Sequence, residues 1–269
     1  MFLVMIAFVP GIWYCFVMLR LSRVAKCFKG KISAKNGLVE AKSMRQIAGK
    51  LLTLIVLAVF LSVLVGCEGM CGSAKLQKKT VLWNGKDFAG WKLFIPDKDI
   101  DVREIWSVGD GVIQCKGKPN GYMRTKAKYE NYKLHLEWRW PDEPTNSGVL
   151  LHASGTDKVW PLCIECQLKA GSAGDFVLIG GPGITVDGRD RQDLEKQFVA
   201  ITKKEQSSEK APGQWNTYDI YCKANSIRCY VNDVLQNEGI NATETAGWIC
   251  LQSEGGPVEF RNIYIEPLD

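Results

Sequence analysis

The pattern that most constrains this chain is alternation with a period of two. Residues 132–140 place Leu134, Leu136, Trp138 and Trp140 on one face and Lys133, His135, Glu137 and Arg139 on the other, because successive side chains of a strand point to opposite sides. The same period runs through 148–153, 163–169, 217–223, 227–231, 248–253 and 258–266, with turn residues between the runs. No long amphipathic helix interrupts them. Residues 192–204 are expected to hold a short helical turn, and 207–214 read as an exposed polar loop. Strands at this spacing, within the roughly two hundred residues that follow Cys67, predict an all-β jelly-roll sandwich of two antiparallel sheets, large enough to bury a proper core.

Alternation also sorts residues by chemistry. Glu165, Gln167 and Lys169 share the polar face of 163–169, and Gln252 and Glu254 that of 248–254. If these stripes lie on one sheet, Glu137, Arg139, Glu165, Gln167, Gln252 and Glu254 converge on a single concave surface suited to carbohydrate. The plain alternative is a set of ordinary wet faces. Trp160, Trp248, His152 and Tyr122 accompany the stripes, and a merely solvated face has no need of aromatic and imidazole groups.

The amino-terminal part reads as targeting. Basic Arg45 and Lys50 precede an apolar run, 51–65, that ends in Leu64-Val65-Gly66-Cys67. That arrangement predicts a lipoprotein signal peptide over 44–66 and lipid on Cys67, followed by a tether, 67–79, and the globular domain, 80–269. The run is short of the ~20 residues that span a bilayer. Residues 1–43 read either as an over-extended start, translation beginning at Met44, or as an extra membrane segment with a basic flank. The lipid would place the domain in the bacterial cell envelope, facing the periplasm or in the outer membrane. A formal net charge of +5, with Lys and Arg interspersed among Asp and Glu, shows no basic face for nucleic acid.

Of the ten cysteines, Cys163 and Cys166 have metal-like spacing, but strand alternation would send their sulfurs to opposite faces. Cys222 and Cys229 flank the turn at Asn225-Ser226, where they would face each other across a hairpin and an exported domain could bridge them. No G-x-G-x-x-G opens a helix after a strand, so no nicotinamide site is expected.

Several ordered stretches carry a resemblance. They include Leu82-Trp83-Asn84-Gly85-Lys86-Asp87-Phe88, Trp106-Ser107-Val108-Gly109-Asp110-Gly111, Asn146-Ser147-Gly148-Val149-Leu150-Leu151-His152, Ile164-Glu165-Cys166-Gln167-Leu168, Gly213-Gln214-Trp215-Asn216 and Gln252-Ser253-Glu254-Gly255-Gly256-Pro257. Through them the chain is similar to the bacterial 3-keto-disaccharide hydrolase family, also described as 3-keto-glucoside 1,2-lyases and 3-keto-2-hydroxyglucal hydratases. The resemblance implies a concanavalin-like jelly roll, a 3-keto-glucoside or related oligosaccharide as substrate, and a separate sugar 3-dehydrogenase acting beforehand. A ketone at carbon 3 acidifies the proton on carbon 2, so the route needs a base, an acid for the leaving oxygen, and positive charge near the enolate.

The residues present fill those roles. Glu165 is the first choice for the site carboxylate. His152 would be its acid–base partner or a metal ligand, and Glu254 a second carboxylate or ligand. Arg139 and Lys169 would stabilise the enolate or contact hydroxyls, Asn146 and Gln167 would orient hydroxyls with Glu137 and Gln252 nearby, and Trp160 would stack on the sugar. A divalent metal held by His152, Glu165 and Glu254 stays open. Two other functions stay open as well: a non-catalytic carbohydrate-binding lipoprotein and an ordinary two-carboxylate glycosidase. Asn84 and Asp87 are expected to shape a turn, and Trp91, Trp106 and Trp138 to lie in the core.

Overall fold

The computed structural model describes residues 79–269; the readings placed on 1–78, Cys67 among them, lie outside these residues. In chain order the elements are β1 (Thr80–Val81), β2 (Trp91–Phe94), a one-turn helix α1 (Val102–Ile105), β3 (Trp106–Gly109), β4 (Val112–Cys115), β5 (Gly121–Thr125), β6 (Tyr132–Arg139), β7 (Gly148–Ser154), β8 (Leu162–Gln167) and β9 (Phe176–Ile179). They continue with β10 (Thr185–Val186), β11 (Arg189–Asp190), β12 (Phe198–Ile201), β13 (Asn216–Lys223), β14 (Ser226–Val231), β15 (Val234–Gly239), β16 (Trp248–Ser253) and β17 (Val258–Pro267). Two antiparallel sheets result. One has eight strands, in the order β15-β14-β13-β6-β17-β4-β3 with β1 also on β17, and the other seven, in the order β12-β9-β8-β7-β16-β5-β2. This is the expected jelly-roll sandwich.

The inward faces are those the alternation marked. Tyr132, Leu134, Leu136 and Trp138 of β6 are each at most 1% exposed, and they pack with Val149, Leu151, Ile164, Cys166, Ile249 and Leu251 of the opposing sheet. Trp91 and Trp106 join that core. Cys163 falls on the other side of β8 from Cys166, in a second apolar cluster, as the period requires. Asn84 and Asp87 close the first turn: Asn84 Oδ1 accepts from the Lys86 and Asp87 amides at 2.8 and 3.0 Å, and Asp87 Oδ1 from the Ala89 amide at 2.9 Å.

Three expectations need correction. Residues 192–204 hold no helix; within them β12 extends the seven-stranded sheet by pairing with β9, because alternate residues Val199 and Ile201 pack on the main core while Phe198 and Ala200 stay exposed. Cys222 and Cys229 do not oppose each other. The β13–β14 register sets Cys222 against Ile227 and Cys229 against Ile220, and both thiols are free and buried.

The third correction concerns the polar stripes, which do not share a sheet. β6 belongs to the eight-stranded sheet and β8 and β16 to the other, so Glu137 and Arg139 sit on the far side of the sandwich. There Arg261 Nε donates to Glu137 at 2.7 Å, Arg139 Nε donates to Glu259 at 2.5 Å, and both guanidiniums lie over Trp215, at 4.6 Å for Arg139 and 4.0 Å for Arg261. Neither residue is part of the surface that carries Glu165. The two faces of β6 should respond differently to substitution. Leu136→Ala should cost about 2–5 kcal/mol, as loss of a fully buried leucine does, and Glu137→Gln about 1 kcal/mol or less, both read from urea unfolding.

Candidate active site

The outer face of the seven-stranded sheet is built row by row from its register. Leu251 of β16 pairs with Val149 of β7, and an isolated bridge joins Asn146 to Glu254, so Gln252 stands opposite Gly148. On its other side Gln252 pairs with Tyr122 of β5, which pairs with Phe94 of β2. One pair further along, Glu165 of β8 lies between Leu150 and Val177. Ser147 Oγ donates to the Gln252 carbonyl at 2.8 Å, and Thr145 Oγ1 accepts from the Gly256 amide at 2.8 Å. The 145–148 and 252–256 stretches are thereby held side by side.

Glu165 is 3% exposed and leans over Gly148, where an added Cβ would overlap its carboxylate. Here glycine supplies space for a neighbouring side chain rather than backbone freedom. Burial in this apolar surround pushes the Glu165 carboxyl up to about 8, with the nearby charge of Glu254 adding to the effect. Glu254 is raised by its own burial, but less so, because a hydrogen bond from Asn146 and the charge of Lys169 favour its ionised form. Burial thus raises both carboxyls of the site, with Glu165 the more affected.

Around them are polar atoms with no partner. Glu165 Oε1, Gln252 Oε1 and Nε2, and Asn146 Oδ1 are all buried without a hydrogen bond, a costly state unless a ligand supplies the partners. Gln167 does a different job. Its Oε1 accepts from the Leu168 and Lys169 amides, both at 2.9 Å, and so shapes the turn that brings Lys169 towards Glu254. Trp160 precedes β8 and packs edge-to-face on Phe198, with ring centroids 5.4 Å apart.

His152 is not brought to Glu165 and Glu254. A register break between Leu151 and Ser154, with His152 at φ 53°, turns its ring away from the face that strict alternation predicts. The ring stacks edge-on against Tyr132 of the opposite sheet at 5.6 Å, and its Nδ1 pairs with the Glu244 carbonyl at 2.9 Å. Burial lowers its pKa and keeps the imidazole neutral. The metal set His152, Glu165 and Glu254 therefore does not assemble. Among the described residues no group of three His, Cys, Asp or Glu side chains is placed to hold a metal.

Sequence reasoning missed a second feature of this face. Asp157, in the loop between β7 and β8, accepts from Tyr122 Oη at 2.9 Å, from Arg124 Nε at 2.8 Å and Nη2 at 3.3 Å, and from Lys92 Nζ at 2.6 Å. The Arg124 guanidinium holds the Asp157 carboxyl far below the usual carboxylate range. The same guanidinium lies 3.9 Å from the centroid of Trp248. Alternation in 121–125 could have placed Tyr122 and Arg124 together, but nothing local pairs either with residue 157.

Among curated proteins none matches the chain. A Parabacteroides distasonis ATCC 8503 protein, solved at 1.70 Å and provisionally described as a glycosyl hydrolase, is 25% identical, with a TM-score of 0.52 over 71% of this chain and 94% of that one. A second such protein from the same organism, solved at 2.00 Å, is 23% identical, with a TM-score of 0.52 over 71% of this chain and 100% of that one, and shares the fold. The family model described as a 3-keto-alpha-glucoside-1,2-lyase-like domain matches residues 78–266, nearly the whole sandwich. The chain belongs to this carbohydrate-active family.

Proposed function

We propose that the protein is an exported enzyme, lipid-anchored through Cys67 in the bacterial cell envelope, that cleaves 3-keto-glycosides by elimination across carbons 1 and 2 followed by hydration. The observation that carries this reading is the coincidence of two carboxylates, raised to different extents by their surroundings, with four unpartnered polar atoms on one face. Environments that push two titratable groups apart assign acid and base. Glu254, the more readily ionised, takes the proton from carbon 2, and the C–H electron pair becomes the enolate of the neighbouring ketone. Collapse of the enolate forms the carbon 1–carbon 2 double bond and expels the glycosidic oxygen, which takes its proton from Glu165. Water then adds across that bond to give the free 3-keto sugar.

The remaining groups fit supporting roles. Lys169 supplies positive charge beside the base, and the free atoms of Gln252 and Asn146 meet sugar hydroxyls. The substrate ketone comes from a separate sugar 3-dehydrogenase. A turnover assay with a glucoside and its 3-keto derivative, with and without a chelator, tests the reading. Only the ketone should react, with exchange of the carbon 2 proton in deuterated solvent. Cleavage of the unoxidised glucoside would instead favour two-carboxylate hydrolysis, and tight binding without product a lectin-like role.

Glu165→Gln should lower turnover of a 3-keto-glucoside by at least about 10²-fold, the usual effect of losing one acid–base group. Gly148→Ala should do much of the same, because it forces the Glu165 carboxylate aside, and small misplacements cost up to about 10²-fold. Its melting temperature should change little, since only the far end of a side chain must move.

Stability should also depend on pH through Glu165. The folded protein keeps that proton up to about pH 8, while the ordinary value for the unfolded chain is 4.5. Between those limits the native state binds more protons, so stability is fully present below about 4.5 and is lost as pH rises through 8. Calorimetric melts across this window should show a decline in the wild type that is flattened in Glu165→Gln, leaving the variant the more stable protein at the alkaline end.

A further inference from the structure

The outer face of the seven-stranded sheet is dry where an antiparallel sheet of this kind is ordinarily wet. Tyr122, Leu150, Ala153, Cys163, Ile179 and Cys250 form a separate apolar cluster there, each at most 1% exposed, with Phe94, Trp160, Val177 and Trp248 packed against it. Of these covering residues only Trp160 comes from a connection rather than a strand. It lies in 155–161, between β7 and β8, the same segment that carries Asp157. At one end this segment is tied through Asp157 to β5 and β2. At the other, Trp160 reaches Phe198 on the edge strand β12. Through these side-chain contacts it is linked to both edge strands of the sheet, β2 and β12.

We propose that 155–161 is a strap, clamped across the sheet by Asp157 and Arg124, which keeps water off the apolar wall against Glu165, making these two residues positioning residues for the acid. This rests on the role given to Glu165 above. The chain of contacts is short. Leu150 and Val177 are the cross-strand neighbours of Glu165 on either side, Cys163 is the next residue on the same face of its own strand, and all three pack in the cluster that Trp160 joins. Asp157 suits a permanent clamp. It receives two cations and a phenol at once, and its charge persists at any working pH. Arg124 is itself only 9% exposed, so its guanidinium is committed to this contact and to Trp248 rather than to solvent.

Because neither residue touches the reacting atoms, the proposal makes a split prediction. Asp157→Asn keeps the shape and loses the charge. It should lower kcat for a 3-keto-glucoside about tenfold or more while leaving KM within about twofold, raise acrylamide quenching of tryptophan fluorescence, and speed hydrogen exchange in peptides covering 148–154 and 162–167. Arg124→Lys should give the same pattern more weakly. If either variant fails to melt cooperatively, Tyr122→Phe removes a single donor and replaces it. Faster exchange with unchanged kcat, a rise in KM alone, or unchanged exchange would each overturn the clamp. Absence of 3-keto-glucoside turnover in the wild type, with exchange still rising in Asp157→Asn, would instead remove the role of Glu165 and leave the strap standing.

Discussion

Burial of a carboxyl between two apolar layers is the constraint on which the chemistry of this face depends. Glu165 points away from the main core, yet its own face of the sheet carries a second apolar cluster, so the group is desolvated from both sides. A lone ionised carboxylate in such a place is costly, and the protein answers by holding a proton on it. Half-buried Glu254 is raised by the same physics, but the hydrogen bond from Asn146 and the charge of Lys169 work against it and favour the ionised form. The two carboxyls thus differ through surroundings rather than residue type.

The opposite sheet shows the contrast. Its outer face also carries carboxylates, aromatics and guanidiniums, but its central carboxylates are paired: Glu137 with Arg261 and Asn262, Glu259 with Arg139, Asp219 with Lys133 and His135. Carboxylates satisfied in this way ask nothing of a ligand. The unpartnered atoms of Gln252, Asn146 and Glu165 do. Hydrogen-bond accounting therefore separates two surfaces that composition alone makes look alike.

Backbone irregularity decides the fate of the histidine. A bulge at 152–153 rotates His152 out of the alternation of β7, just ahead of the 155–161 connection. One local break thus removes an imidazole from the candidate site. A strict period of two would have put the imidazole on the face of Glu165 and left that face open.

Much of this was legible from the residues alone. The period of two marked which side of each strand faces the main core, since alternation of side chains is a local property, and it correctly parted Cys163 from Cys166 and put Glu165 and Gln252 on the face turned away from that core. The ordered motifs carried the family, and Asn84 and Asp87 declared their turn. What a period of two does not contain is the identity of the sheet a strand joins. β16 enters between β7 and β5, and β17 between β6 and β4. These pairings join segments far apart in the chain, as with Ser147 and Gln252, separated by 105 positions. Only tertiary structure therefore decided that Glu137 and Arg139 stand behind the sandwich and that Glu254 stands beside Glu165. It alone set Arg124 against Asp157, because alternation assigns a side chain to a face while its neighbours on that face come from non-local strand order.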